Sequence, residues 1–175
     1  MRHSIHDISI RPERPADYAA IRRLVKEAFA SAEHSDGDEH RLVDRLRDTA
    51  EYIPELSLIA LFQGQPVGHI MFSRIFIGDE PALALAPLAI APAMQRKGIG
   101  TSLIEAGHAT ACKMGYSCAV VLGAPGYYTR FGYTPAAACG IIAPFDVAPA
   151  YFMARPLHHS RLPSGLVRYS PAFGL

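Results

Sequence analysis

An apolar run from Ala82 to Ile90 is followed by the string Gln95-Arg96-Lys97-Gly98-Ile99-Gly100-Thr101, and then by a segment with helical spacing. A buried strand, a basic glycine-containing turn and a helix together make a site for an anionic phosphate. Glycine lets the backbone come close and turn its N–H groups inward. The helix N-terminus adds partial positive charge, and Arg96 and Lys97 add formal charge at the rim. The blander alternative is a surface turn that caps a helix. It fares worse, because Gly98 and Gly100 are costly at a helix start that has no use for them. A Rossmann fingerprint fits poorly, since Leu103 stands where the third glycine belongs. A P-loop fails because no Gly-Lys-Ser/Thr is present.

The 175 residues suffice for one domain with a core, and with half of them hydrophobic and 19% charged the chain is globular rather than disordered. A net charge of +1 gives no bulk attraction to nucleic acid. No run approaches the roughly 18 apolar residues of a membrane span, and Met1 to Ile10 holds Arg2, His3, His6 and Asp7 in place of an apolar export core. Cys112, Cys118 and Cys139 are odd in number and lack CxxC spacing, so they read as reduced, buried thiols of a cytoplasmic protein. A catalytic cysteine is the weaker reading, because no histidine is paired with one. His158-His159 has no cysteine or carboxylate at ligand spacing, and no metal is expected.

Along the chain, Ile21, Leu24, Val25, Ala28 and Phe29 form one stripe and predict a helix from about Pro15 to Ala30. A second helix is expected from near Asp36, with Glu39 completing a capping box and Leu42, Val43 and Leu46 on its buried face. Strands are expected at Leu56–Phe62, Val67–Ile77 and Ala82–Ile90. The last is apolar on both faces and therefore central, with a bulge or bend near Pro87. The helix after the turn carries Ile99, Leu103, Ala106, Gly107, Ala111 and Met114 on one stripe, and Gly115 caps it. A strand at Ser117–Leu122, a short helix through Tyr128–Phe131 closed by Gly132, and weaker strands at Ile141-Ile142, Tyr151–Ala154 and Leu166–Tyr169 complete the order. Arg22, Arg23, Lys26, Arg41, Arg45 and Arg47 read as solvated helix faces. Phe145, Tyr151, Phe152 and Phe173 read as core more readily than as pocket.

The segment Leu88-Ala89-Ile90-Ala91-Pro92 followed by Gln95-Arg96-Lys97-Gly98-Ile99-Gly100 resembles the acetyl-coenzyme A motif of the GNAT N-acetyltransferases, Q/R-x-x-G-x-G/A. Tyr128-Thr129-Arg130-Phe131-Gly132-Tyr133 resembles that family's Tyr-x-x-x-Gly-aromatic segment. The spacing of about 30 residues between the two suits one helix and one strand. The fuller string Gly123-Ala124-Pro125-Gly126-Tyr127-Tyr128 is similar to the bacterial YhbS-like branch. The likeness spans roughly residues 8–157 as one domain, with 158–175 a C-terminal tail packing on it or on a partner. It implies an α/β (α+β type) fold: a mixed, mostly antiparallel central sheet with splayed central strands, flanked by helices.

The resemblance also implies roles. Leu88, Ala89 and Ile90 would pair with the pantetheine arm of acetyl-CoA through their backbones. Gln95, Arg96, Lys97, Gly98, Ile99, Gly100 and Thr101 would hold the pyrophosphate. The N–H of Ile90 would face the developing oxyanion. Tyr128 would protonate the departing thiolate, a proton that a phenol carries at neutral pH. Its competing role is an aromatic core residue, and Tyr127 matches the motif less well. Many family members place an acidic base on the strand before the bulge, but here that strand reads Leu83-Ala84-Leu85-Ala86. Substitutes are Glu33, Asp38, Glu39, His40, His69 and Asp146, or a water relay. Glu39 is favoured as a cap and His69 as a structural histidine. The implied activity is direct acetyl transfer to an amine of a small molecule or protein, with neither nucleic acid nor membrane as a partner and a homodimer left open. The alternative is a non-catalytic acyl-CoA-binding or regulatory module with the same fold.

Overall fold

A computed structural model describes residues 7–158 and 161–175. His159 lies outside the described residues. The chain opens with a strand that sequence periodicity did not announce, β1 (Ile8–Pro12), paired antiparallel with β2 (Ser57–Phe62). Five residues that include Arg11 and Pro12 carry too weak an alternation to stand out. After a short helical turn at Pro15–Asp17 come α1 (Tyr18–Phe29) and α2 (Glu39–Arg47). The capping box expected at Glu39 does not form. The helix begins at Glu39 itself, with Asp38 as N-cap and no side-chain cap. Asp36 Oδ1 instead accepts from the Asp38 N–H at 2.9 Å, a local turn that competes with the cap.

Next, β2, β3 (Gln65–Ile77) and β4 (Glu80–Ile90) form an antiparallel meander, and α3 (Ile99–Lys113) crosses over to β5 (Cys118–Leu122), which runs parallel to β4. The short helix α4 (Pro125–Tyr128) continues as a helical turn at Thr129–Phe131, and β6 (Thr134–Pro135), β7 (Ile141–Ile142), β8 (Phe152–Pro156) and β9 (Gly165–Arg168) follow. The sheet order is β1-β2-β3-β4-β5-β8-β6, with β9 pairing to the end of β3 and to β7. The result is an open, mostly antiparallel sheet flanked by helices.

Strand alternation sorts the core. Leu83, Leu85, Ala119 and Val121 meet Leu103 and Ile104 of α3, while Ala82, Ala84 and Val120 meet Phe152, Ala154 and Val167. Ile21, Val25, Val43 and Leu46 cover Ile59, Met71 and Ala89. Met114 falls off the buried stripe of α3 and is 43% exposed, because the helix ends beside it. Cys118 is buried, but Cys112 and Cys139 are only half-buried, so the expectation of three buried thiols holds for one. Among the described residues no helix is long and apolar enough to cross a membrane.

One predicted surface residue is not on the surface. Arg47 is 6% exposed and grips Glu13, wholly buried, through Nε (3.0 Å) and Nη2 (2.8 Å). The Tyr52 hydroxyl donates to the same carboxylate at 2.8 Å, and His69 Nε2 lies 3.3 Å from it. Burial by itself would raise the Glu13 pKa, but the hydrogen bonds from His69 and Arg47 outweigh it and hold the group at about 2. Burial also pushes the His69 pKa down, so this histidine is neutral. The network ties the start of the chain and α2 to β3.

Candidate active site

β4 and β5 part company at the centre of the sheet. Residues 83–85 pair in parallel with 119–121, and from there to Ile90 β4 has no pairing with β5. The departure coincides with a bulge. Ile70 faces Leu88 and Phe72 faces Leu85, so Ala86 and Pro87 together oppose Met71. Proline has no N–H to contribute to a ladder. Past the bulge, the Ala91 N–H donates to the Val67 carbonyl at 2.9 Å. Antiparallel alternation then aims the N–H and C=O of Ala89 at β3, and those of Leu88 and Ile90 into the gap left by β5. Consistent with this, the Gln95 side-chain amide reaches the Ile90 carbonyl at 3.3 Å. The expectation that Ala89 offers its own amide to a ligand is therefore corrected. Its backbone serves β3, and its side chain is buried beside Ile21 and Val25.

Beyond Ile90 the chain turns through Arg96 (φ +58°) and Gly98 (φ +83°) before α3 begins at Ile99. Two left-handed residues in this short turn make a concave backbone with N–H groups facing in. The N–H groups of Ile99, Gly100 and Thr101 have no acceptor inside the helix; the first helical bond runs from Ser102 N–H to Gly98 O at 3.1 Å. These groups border a cleft of about 590 Å³, lined by Leu88, Ile90, Gln95, Arg96 and Gly98 through Thr101. Lys97 does not line it. This lysine is exposed, with Nζ 3.7 Å from Met94 Sδ.

Sequence reasoning missed the facing wall. Phe29 and Ala32, at the end of α1, close one side, and Tyr127 and Arg130 close another. Arg130 is held in place, with Nε donating to Tyr127 O at 3.3 Å and the guanidinium 4.7 Å from the Tyr127 ring centroid. The cleft thus has two guanidinium groups, Arg96 and Arg130, and no carboxylate. A basic residue just after the Tyr-Tyr pair was the available signal.

Phe29, Ala32 and Leu88 are shared with a second cleft of about 830 Å³ that opens on the other side of the gap. Tyr128 lines this one, whereas Tyr127 lines only the first. The Tyr128 ring meets Tyr127 and Tyr133 edge-on at 5.0 and 5.8 Å. It lies across Gly123, where a Cβ would come within 2.3 Å of the ring. Its hydroxyl makes no hydrogen bond among the described residues, and burial raises its pKa, so the phenol stays protonated at neutral pH. Behind it, Arg155 donates to His108 Nδ1 and His108 Nε2 bonds the Tyr133 hydroxyl at 2.8 Å. Burial holds the His108 pKa at about 3, so this scaffold is uncharged at the imidazole.

Of the candidate bases, Glu33, Asp38, Glu39 and Asp146 border the second cleft. His40 and His69 line neither cleft, and both are buried. Phe145 and Phe173, expected as core, also form a wall of this cleft, while Phe152 is buried and Tyr151 is exposed.

Residues 18–133 match the acetyltransferase (GNAT) family, and the chain belongs to it. It is 35% identical over 149 residues to the uncharacterised N-acetyltransferase YjhQ of Escherichia coli K12, a match that covers 82% of this chain and 80% of the relative. It is 32% identical over 131 residues to the uncharacterised N-acetyltransferase YhbS of the same strain, 73% of this chain and 74% of the relative. Among solved structures, a GNAT family acetyltransferase from Brucella melitensis in complex with acetyl-CoA superposes with a TM-score of 0.81 at 36% identity, covering 96% of this chain and 99% of the other. The YhbS structure from E. coli in complex with CoA gives a TM-score of 0.88 at 29% identity, covering 97% and 93%.

Proposed function

We propose that this protein is an N-acetyltransferase that takes its acetyl group from acetyl-CoA and passes it directly to an amine. The observation that carries the reading is the gap between β4 and β5, continuous with the left-handed turn at the start of α3. The gap offers backbone at Leu88 and Ile90 that β5 does not pair with, where a pantetheine arm can lie. The turn offers inward N–H groups, a helix N-terminus and two guanidinium groups to a diphosphate. A regulatory module that only binds acyl-CoA would need neither a second cleft sharing Phe29, Ala32 and Leu88 with the first nor a phenol in it whose hydroxyl makes no hydrogen bond among the described residues.

In this reading Gln95, Arg96 and Gly98 to Thr101 cradle the diphosphate, Lys97 lends charge from the rim, and Arg130 stands on the facing wall. The Ile90 N–H faces the carbonyl oxygen as negative charge builds there. An amine that reaches the carbonyl carbon in its neutral form makes the C–N bond, and the C–S bond breaks. Tyr128 gives its proton to the departing sulfur, and the proton lost by nitrogen leaves through the carboxylate-lined cleft or its water. Cytoplasmic placement belongs to the same reading, supported by three unbridged thiols.

Isothermal calorimetry with acetyl-CoA tests it. Micromolar-range binding is expected for the native chain and its loss for a folded Gly98→Glu, Gly100→Glu variant, since two carboxylates would stand where the diphosphate belongs. Equal binding by both would remove the phosphate site from this turn.

A further inference from the structure

The two clefts carry opposite charge. The first has Arg96 and Arg130 and no carboxylate. The second is bordered by Glu33, Asp36, Asp38, Glu39 and Asp146 against one guanidinium, Arg45, and one imidazole, His34. Arg45 is already committed, with Nη2 2.7 Å from Asp38 and Nε on the Ala172 carbonyl at 2.9 Å. Cancelling that pair leaves four carboxylates facing the cleft. Asp36 is turned to its own backbone. Glu33, Glu39 and Asp146 have no ion pair or hydrogen bond among the described residues, and they stand on different elements, the loop after α1, the first turn of α2 and the loop before β8. Between the acids runs an apolar wall. Phe145, Tyr169 and Phe173 follow one another with ring centroids 6.0 and 4.9 Å apart, their planes inclined at 40° and 60°. Tyr128 lines the same cleft, and its hydroxyl makes no hydrogen bond among the described residues.

We propose that the acceptor is a small di- or polyamine. Its reacting amine would be presented beside Tyr128, its methylene chain would lie on the aromatic wall, and its distal ammonium would be held by Glu33, Glu39 and Asp146. The inference rests on the acetyltransferase reading above and names the substrate class of that same site. Charge and shape both select for it. A carboxylate-bearing acceptor such as an amino acid would bring a like charge among four acids, which rejects rather than merely fails to attract. A monoamine would satisfy the wall but leave the acids with water. Methylene chains suit aromatic faces, and a cation near such faces gains a further attraction. No acid has to be desolvated completely, so each pairing is modest and the preference comes from their sum.

The test is a titration of 1,5-diaminopentane, pentylamine and 5-aminopentanoate, which share one primary amine and differ in the distal group. Each is titrated into the protein alone and into the protein saturated with CoA, and each is then assayed for acetylation at saturating acetyl-CoA. The diamine is expected to bind, and to be acetylated with a kcat/KM, on the order of tenfold better than the monoamine, with the amino acid weakest. The gap should narrow as salt is raised, because the acids are solvent-facing. A Glu33→Gln, Glu39→Gln, Asp146→Asn variant should bind CoA as the native chain does and treat diamine and monoamine alike. Should that variant fail to fold, the salt series on the native protein decides the same point. Equal or better handling of the amino acid, no binding of the diamine in either state, or a preference that survives the triple variant and high salt would each overturn the proposal. Failure of CoA itself to bind in these titrations would instead overturn the acetyltransferase reading, with the diamine arm run without CoA still reporting on the cleft.

Discussion

Tyr128→Phe is expected to lower kcat by about a hundredfold or more while leaving the dissociation constant of acetyl-CoA nearly unchanged. The substitution removes one oxygen and keeps the ring, so the edge-on contacts with Tyr127 and Tyr133 survive. In the role proposed for Tyr128, what is lost is the proton for the leaving sulfur, an interaction realised only as the C–S bond breaks. Such a loss appears in kcat rather than in binding. Burial makes Tyr128 a weaker acid than a free phenol, but the same dry surroundings raise the proton affinity of the thiolate it serves. The raised pKa also keeps the donor loaded through the neutral and mildly alkaline range, so an alkaline fall in rate near pH 8 would have to come from another group. Release of free thiol, followed with an amine acceptor, measures kcat, and calorimetry measures the cofactor. An unchanged kcat would remove Tyr128 from the acid role and return it to the aromatic scaffold.

The second large effect concerns folding. Arg47→Met is expected to destabilise the protein by about 3–5 kcal/mol, read as a drop in the denaturant midpoint at pH 7. The methionine fills much of the volume but leaves the Glu13 carboxylate, wholly buried, without its bidentate partner. Glu13→Gln, which removes the charge and keeps the shape, should cost less than Arg47→Met if the uncompensated carboxylate is the dominant penalty. The same group sets an acid limit. Its pKa is depressed in the folded state to about 2 from an ordinary 4.5. A depressed carboxyl pKa means that the unfolded chain binds the proton first. The stabilisation is therefore complete above about pH 4.5 and is lost as the pH falls toward 2. Stability measured at stepped pH should fall through that window in the native chain and less steeply in Glu13→Gln. A flat profile would mean that Glu13 is not held by this network.

Much of the first cleft was legible from residue order. A run that is apolar on both faces has to be a central strand. A proline within it has to disturb pairing, and glycines beyond it that begin a helix have to leave N–H groups free. Each of these inferences needs only neighbours within a few positions, since backbone sterics and strand or helix periodicity are local properties. The bulge at Ala86-Pro87, the left-handed Gly98 and the start of α3 at Ile99 follow that logic. Tyr128 was reached differently, through the likeness of residues 128–133 to the family's Tyr-x-x-x-Gly-aromatic segment.

Pairing between distant segments is where local reasoning stops. Arg47 looks like any arginine on a solvated face until folding brings α2 to Glu13, 34 positions earlier and just after β1. Glu39 looks like a cap until the loop before it supplies its own turn and leaves the side chain free over a cleft. Arg130 and Tyr127 become a wall of the first cleft only because α4 returns opposite Gly100 after β5. Even the direction of an amide depends on partners, since Ala89 serves β3 while its neighbours Leu88 and Ile90 face the gap. The sequence by itself determined that a strand, a turn and a helix would bring free backbone N–H groups together, because glycine conformation and apolar periodicity act over a single turn. Only the tertiary structure decided which charges share a cleft, because that depends on how strands pair across tens of residues.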